Sequence, residues 1–143
     1  LNEETALNYI AGYIIGNDII IPHESLFRPA VSYKARVGFC PIGPWIVEKD
    51  QLHDPDNLTI RVYINDELKQ ENSTENLIRK VSQLLVDVTE FMLLNPGDVL
   101  LTGVPEKAPL AKIGDKVRIE IEGVGSLENV IVEEQSFIRR GAQ

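Results

Sequence analysis

Between Asp18 and Lys34 the chain carries, within seventeen residues, two carboxylates (Asp18, Glu24), an imidazole (His23), a guanidinium (Arg28) and an ammonium (Lys34). The apolar run Ile19-Ile20-Ile21 is threaded among them. Ionisable groups alternate this closely with apolar ones where they face a common cleft, which supports a site without naming an activity. Just beyond lies Phe39-Cys40-Pro41-Ile42-Gly43-Pro44. Its prolines and glycine fix an irregular backbone beside apolar side chains, as in rigid substrate-contact loops. Further on, Thr102-Gly103-Val104-Pro105 closes an apolar run, offering a hydroxyl and free backbone N–H groups to an anionic ligand. Each feature also has a plainer reading. Gly16-Asn17-Asp18 is a bulge that aims a side chain or a turn with a solvated Asp18. His23 can be a surface or loop histidine, Lys34-Ala35-Arg36 a solvated basic turn, and Thr102-Gly103 a structural turn.

The elements that must position these groups follow from periodicity. Glu3 to Tyr9 is rich in helix formers behind a capping Asn2, and Tyr13-Ile14-Ile15 reads as a short buried strand. Leu58 to Ile64 alternates apolar with polar residues and predicts a half-buried strand, turned at Asn65-Asp66 into a returning strand over Glu67 to Gln70. Leu77, Val81, Leu84, Leu85, Val88, Phe91 and Met92 recur at helical spacing. They predict one long helix over Thr74 to Leu94, capped by Asn72 or Ser73, with Phe91 and Met92 in the core. Asn95-Pro96-Gly97-Asp98 stops it. Val99-Leu100-Leu101 reads as a buried strand, and Lys116 to Ile121 and Leu127 to Val132 as two strands joined through Gly123 and Gly125. The tail from Ser136 is expected to fray. About six strands, a long helix and a short one that do not alternate define an α+β, mainly β fold.

The whole chain narrows the function classes. Its 143 residues suffice for one domain with a real core. A net charge of -8 argues against a nucleic-acid or anionic-membrane partner, because no basic patch exists to neutralise phosphates. The single cysteine, Cys40, excludes an internal disulfide and fits a reducing compartment. No run approaches the ~18 continuous apolar residues of a membrane-spanning helix. A cytoplasmic enzyme or binding domain is expected. Because the chain opens at Leu1 inside a predicted helix, we expect one catalytic domain over 1–143 that lacks its N-terminal segment.

Several short pieces, in this order and spacing, resemble the fumarylacetoacetate hydrolase family over nearly the whole chain. They are Ala11-Gly12-Tyr13 leading to Asn17-Asp18, Lys34 before Gly38 to Pro44, Asn57-Leu58 before the Asn65 hairpin, Asn95 to Asp98, Thr102-Gly103, Gly114-Asp115 and Glu120 to Gly125. The loop Pro22 to Pro29 is most similar to the homoprotocatechuate branch of the family. The resemblance implies a contorted mixed β-sheet roll with a flanking helix, and a homodimer or higher homo-oligomer. It also implies Mg²⁺ or Mn²⁺ held by an aspartate matching Asp18 and by a Glu-x-Glu pair on an earlier strand, absent from this chain. The ion would polarise a 2-oxo acid or enol, and Lys34 would stabilise the enolate or relay a proton. Arg28, Gly43 and Thr102 would contact a small 2-oxo or enol diacid, with Arg28 on a carboxylate. The implied activity is a decarboxylase or isomerase of 2-oxo diacids in aromatic catabolism, with acylpyruvate hydrolysis or oxaloacetate handling as the near rival. Val37 stands where relatives commonly have Asp, and Val104 replaces the threonine of the usual Thr-Gly-Thr-Pro turn. These two changes favour a third reading, a catalytically silent subunit.

Overall fold

The computed structural model describes residues 1–23 and 31–135. The chain begins with a one-turn helix, α1 (Glu3–Ala6), continued by a 3-10 turn over Leu7–Tyr9. Asn2 caps it as expected, its Oδ1 accepting from the Thr5 backbone N–H at 3.0 Å, while Glu3 and Glu4 complement the helix dipole. Strand β1 (Gly12–Gly16) follows the predicted Tyr13–Ile15 closely and pairs antiparallel with β2 (Ile42–Glu48). A short helix, α2 (Val31–Lys34), lies between them. β2 replaces part of the irregular loop expected at Gly38–Pro44. Its irregularity is confined to a bulge: Tyr13 faces Val47 but Ile15 faces Gly43, so β2 carries two extra residues there. Pro44 sits inside the bulge and has no N–H to give the ladder.

The second sheet has the order β4–β3–β5–β6, with β3 (Thr59–Ile64), β4 (Glu67–Ser73), β5 (Lys116–Ile121) and β6 (Gly125–Val130), and every neighbour antiparallel. The implied contorted roll thus shows, within the described residues, as two antiparallel sheets that do not close into a barrel. Asn65 and Asp66 both take positive φ (51° and 67°), the two-residue turn that matches strand twist. Alternation along β3 and β5 brings apolar residues together across the ladder: Ile60 with Ile121, Val62 with Ile119, and Ile64 with Val117. On the other face Arg61 faces Glu120, and the Arg118 guanidinium lies 4.0 Å from the Tyr63 ring centre. The core joins the sheets, with buried Ile15, Leu52, Val124 and Leu127 packed among Tyr13, Val47, Leu58, Ile119 and Ile121. Burying a side chain such as Ile15 contributes about 1.5–3 kcal/mol.

The structure corrects three expectations. The helix predicted over Thr74–Leu94 is only α3 (Val81–Thr89), preceded by a 3-10 turn at Thr74–Asn76 that Ser73 caps. Thr74 is taken by the sheet instead: its N–H donates to the Leu58 carbonyl, and its Oγ1 accepts from the Leu58 N–H at 2.8 Å. α3 then starts where Asp56 Oδ1 accepts from Val81 N–H at 3.0 Å, because its own N-cap residue, Lys80, makes no side-chain cap. Phe91 and Met92 are not core, being 77% and 51% exposed past the helix end. Val99–Leu101 forms no strand, and Val99 and Leu101 are exposed. The turn before it is as expected: Asn95 N–H donates to Asp98 Oδ2 at 2.7 Å and Asp98 N–H returns to the Asn95 carbonyl. The tail expected to fray lies outside the described residues.

Candidate functional site

The extended backbone continues past β1. Asn17 N–H donates to the Pro41 carbonyl and Ile19 N–H to the Phe39 carbonyl, both at 2.9 Å. These bonds clamp the main chain on both sides of Asp18 and so fix where its side chain starts. Two residues on, Ile21 N–H donates to the Tyr33 carbonyl at 2.9 Å, fastening α2 to this segment. α2 ends on Lys34, and that fastening sets its ammonium 2.6 Å from Asp18 Oδ2. Of the two readings open for Asp18, the solvated turn is excluded: the side chain is 12% exposed and ion-paired. The irregularity of β1 lies earlier, between Tyr13 and Ile15. Lys34, 48% exposed, is likewise no free basic turn. An ion pair with one partner half in water contributes about 0–1 kcal/mol, less than the burial of one core isoleucine. Stability is therefore a poor explanation for it.

Asp18 lines a cleft of about 1470 Å³ together with Asn17, Phe39, Ile42, Thr102 and the apolar faces of β3 and β5. The cleft is larger than the ~300–1,000 Å³ usual for a small-molecule pocket, so it is not by itself shaped to a small diacid. Thr102 thus shares a cleft with Asp18, on an exposed loop with Gly103 at φ 114°. Gly43 does not line it. It is buried in β2 opposite Ile15 with φ 146°, a conformation other residues rarely adopt, so its place is explained by backbone geometry. Arg28 and Glu24 lie outside the described residues. His23 is described, and its ring stacks on Tyr33 with centroids 4.7 Å apart and planes 20° from parallel. Tyr33 was not singled out from the sequence, because nothing in its spacing signals a contact made across a loop.

A hard divalent cation takes six or more oxygen ligands. Asp18 offers one carboxylate, and among the described residues no group of three or more His, Cys, Asp or Glu side chains comes together to hold a metal. The described residues fit one ligand position of such a shell and not the whole shell. No helix among them is long and apolar enough to cross a membrane.

A mainly β domain of two antiparallel sheets, with a clamped aspartate and a lysine at the edge of an apolar cleft, is the class of protein that these elements define. Residues 1–132 match the fumarylacetoacetate (FAA) hydrolase C-terminal family, and the chain belongs to the fumarylacetoacetate hydrolase family. It is 45% identical over 138 residues to a 4-hydroxyphenylacetate degradation bifunctional isomerase/decarboxylase of Salmonella dublin, covering 95% of this chain and 32% of that protein. It is 35% identical over 142 residues to a mitochondrial oxaloacetate tautomerase of Xenopus laevis, covering 92% and 44%. Among solved structures, a maleylpyruvate hydrolase from Sphingobium in complex with manganese(II) and pyruvate superposes with a TM-score of 0.83 at 32% identity, over 92% of this chain and 48% of that one. A 2-hydroxyhepta-2,4-diene-1,7-dioate isomerase from Mycobacterium marinum gives 0.80 at 33% identity, over 94% and 52%. The chain thus spans about a third to a half of the length of these relatives.

Proposed function

We propose that the chain carries part of the active site of a metal-dependent isomerase/decarboxylase acting through an enolate on a 2-oxo or 2-hydroxy-dienoate diacid of aromatic catabolism. The observation that carries this reading is the 2.6 Å contact between Lys34 and the clamped Asp18. Asp18 would supply one carboxylate to Mg²⁺ or Mn²⁺, with the other ligands coming from outside the described residues. When bound, the ion would polarise the keto oxygen and favour the enolate. Lys34 would hold its ammonium beside the developing negative charge, a fixed positive group where charge appears. Thr102 would offer its hydroxyl to a substrate oxygen from across the cleft, and Arg28 would meet a carboxylate. The isomerase/decarboxylase type is preferred because that relative has the higher identity of the two curated proteins above. Oxaloacetate tautomerisation or C–C hydrolysis would use the same groups. The protein would work in the cytoplasm as a homodimer or higher homo-oligomer.

The test is calorimetry of Mg²⁺ and Mn²⁺ on the intact protein and on Asp18→Ala, followed by turnover of 2-oxo diacids. Micromolar binding lost in the variant supports the reading; absence of binding in folded, intact protein overturns it. One observation favours a silent subunit instead. Val104 is exposed and lines the cleft, at the position where the family resemblance implies a threonine hydroxyl. A silent copy would bind no ion and show no turnover until mixed with an active partner.

A further inference from the structure

Besides the Lys34–Asp18 ion pair itself, two described contacts tie the short helix that carries Lys34 to the segment that follows Asp18. The first is the backbone hydrogen bond from Ile21 N–H to the Tyr33 carbonyl. The second is the stack of His23 on Tyr33, 4.7 Å between ring centres. α2 has four residues, Val31–Lys34, none of them buried, so it has little packing of its own to fix its position. A helix of one turn is also too short to persist on hydrogen bonding alone. His23 Nδ1 is buried and has no hydrogen-bond partner among the described residues. What the described structure assigns to this ring is therefore its face.

We propose that His23 is a positioning residue whose ring, by stacking on Tyr33, fixes α2 and so holds the Lys34 ammonium at Asp18. The proposal rests on the reading of Lys34 as the enolate-stabilising group but concerns its placement, which can be measured without turnover. A one-turn helix that shifts by an ångström carries its lysine with it, and misplacements of that size lower rates by up to ~10²-fold. A ring nitrogen plays no part in this role. A phenyl ring in its place would keep the stack and remove a buried polar atom that has no partner among the described residues.

The test compares the intact protein with His23→Ala and His23→Phe by the rate at which an amine-acylating reagent modifies Lys34, read by peptide mass spectrometry. We expect Lys34 in His23→Ala to react several-fold faster than in the parent, and His23→Phe to restore the parent rate. In the turnover assay His23→Ala should lose about tenfold in kcat with KM little changed, again restored by Phe. If Lys34 reacts at one rate in all three proteins, the proposal is overturned. If Phe behaves like Ala, a ring nitrogen and not the stack matters, and the proposal is equally overturned. Should His23→Ala not fold, Tyr33→Leu breaks the stack from the exposed side and must show the same faster labelling. A parent protein with no turnover but with His23-dependent labelling would sink the enzymatic reading while leaving the positioning role standing.

Discussion

Lys34 Nζ lies 2.6 Å from Asp18 Oδ2, sixteen residues away in sequence, because two backbone hydrogen bonds clamp the aspartate and a third ties α2 alongside it. The pair joins one mainly buried carboxylate to one half-exposed ammonium. Among the described residues, the Lys34 ammonium is the counter-charge ion-paired with this carboxylate.

That arrangement separates two roles. Lys34→Met removes the ammonium and leaves the clamp on Asp18 untouched. We expect Mg²⁺ or Mn²⁺ binding to the intact protein to be retained or tightened, since the lysine no longer competes for Oδ2, while turnover falls by about 10²–10³-fold. Calorimetry beside steady-state kinetics reads both. Loss of metal binding together with turnover would show that Lys34 does not act separately from the ligand.

The start of α3 depends on a residue twenty-five positions earlier. Asp56→Ala leaves the Val81 N–H without its acceptor, and we expect a loss of about 1 kcal/mol in a denaturant titration. Asp56→Asn keeps an acceptor oxygen and should lose only a few tenths. Equal losses in the two variants would mean that charge, and not the cap, is what matters.

Asp115 ties the Lys112–Asp115 turn to the β3–β4 hairpin. The Lys112 backbone N–H, and then the Asn65 side-chain amide at 2.8 Å, hold its carboxylate below the ordinary aspartate range, against a smaller opposing effect of burial. A folded pKa below the unfolded one means that ionised Asp115 stabilises the fold at neutral pH. That contribution is present above the unfolded value of 3.8 and disappears as pH falls through it towards the folded value. Asp115→Asn should therefore flatten stability against pH on the acid side of 3.8 relative to the parent. An unchanged slope in thermal melts across that range would refute it.

Gly125 opens β6 at φ 128°, and a Cβ there would lie 2.7 Å from Trp45 Cζ2. The Trp45 Nε1–H donates to the Val124 carbonyl at 2.9 Å, so the indole cannot retreat without breaking a hydrogen bond. Gly125→Ala should cost about 2 kcal/mol or more, combining backbone strain with overpacking. Tryptophan fluorescence should shift as Trp45, the only tryptophan, moves. A wild-type spectrum with full stability would show that the indole has another place to go.

Local chemistry in the sequence was enough for the elements whose hydrogen bonds close nearby. β3, the Asn65-Asp66 turn and β5 follow from period-two alternation and from residues that tolerate positive φ, and the Asn95–Asp98 turn closes on its own side chain. Asp18 and Lys34 stood out by type and by family resemblance, but their contact could not be read, because sixteen residues of chain can place two side chains at many separations. The tertiary structure decided that contact through the carbonyls of Phe39, Pro41 and Tyr33. It also decided the helix. Apolar spacing from Leu77 to Met92 satisfies a long α3, yet Thr74 is bonded to Leu58 in the sheet and the cap comes from Asp56, so only Val81–Thr89 winds. In both cases the deciding partner is distant along the chain, and periodicity reports only on neighbours.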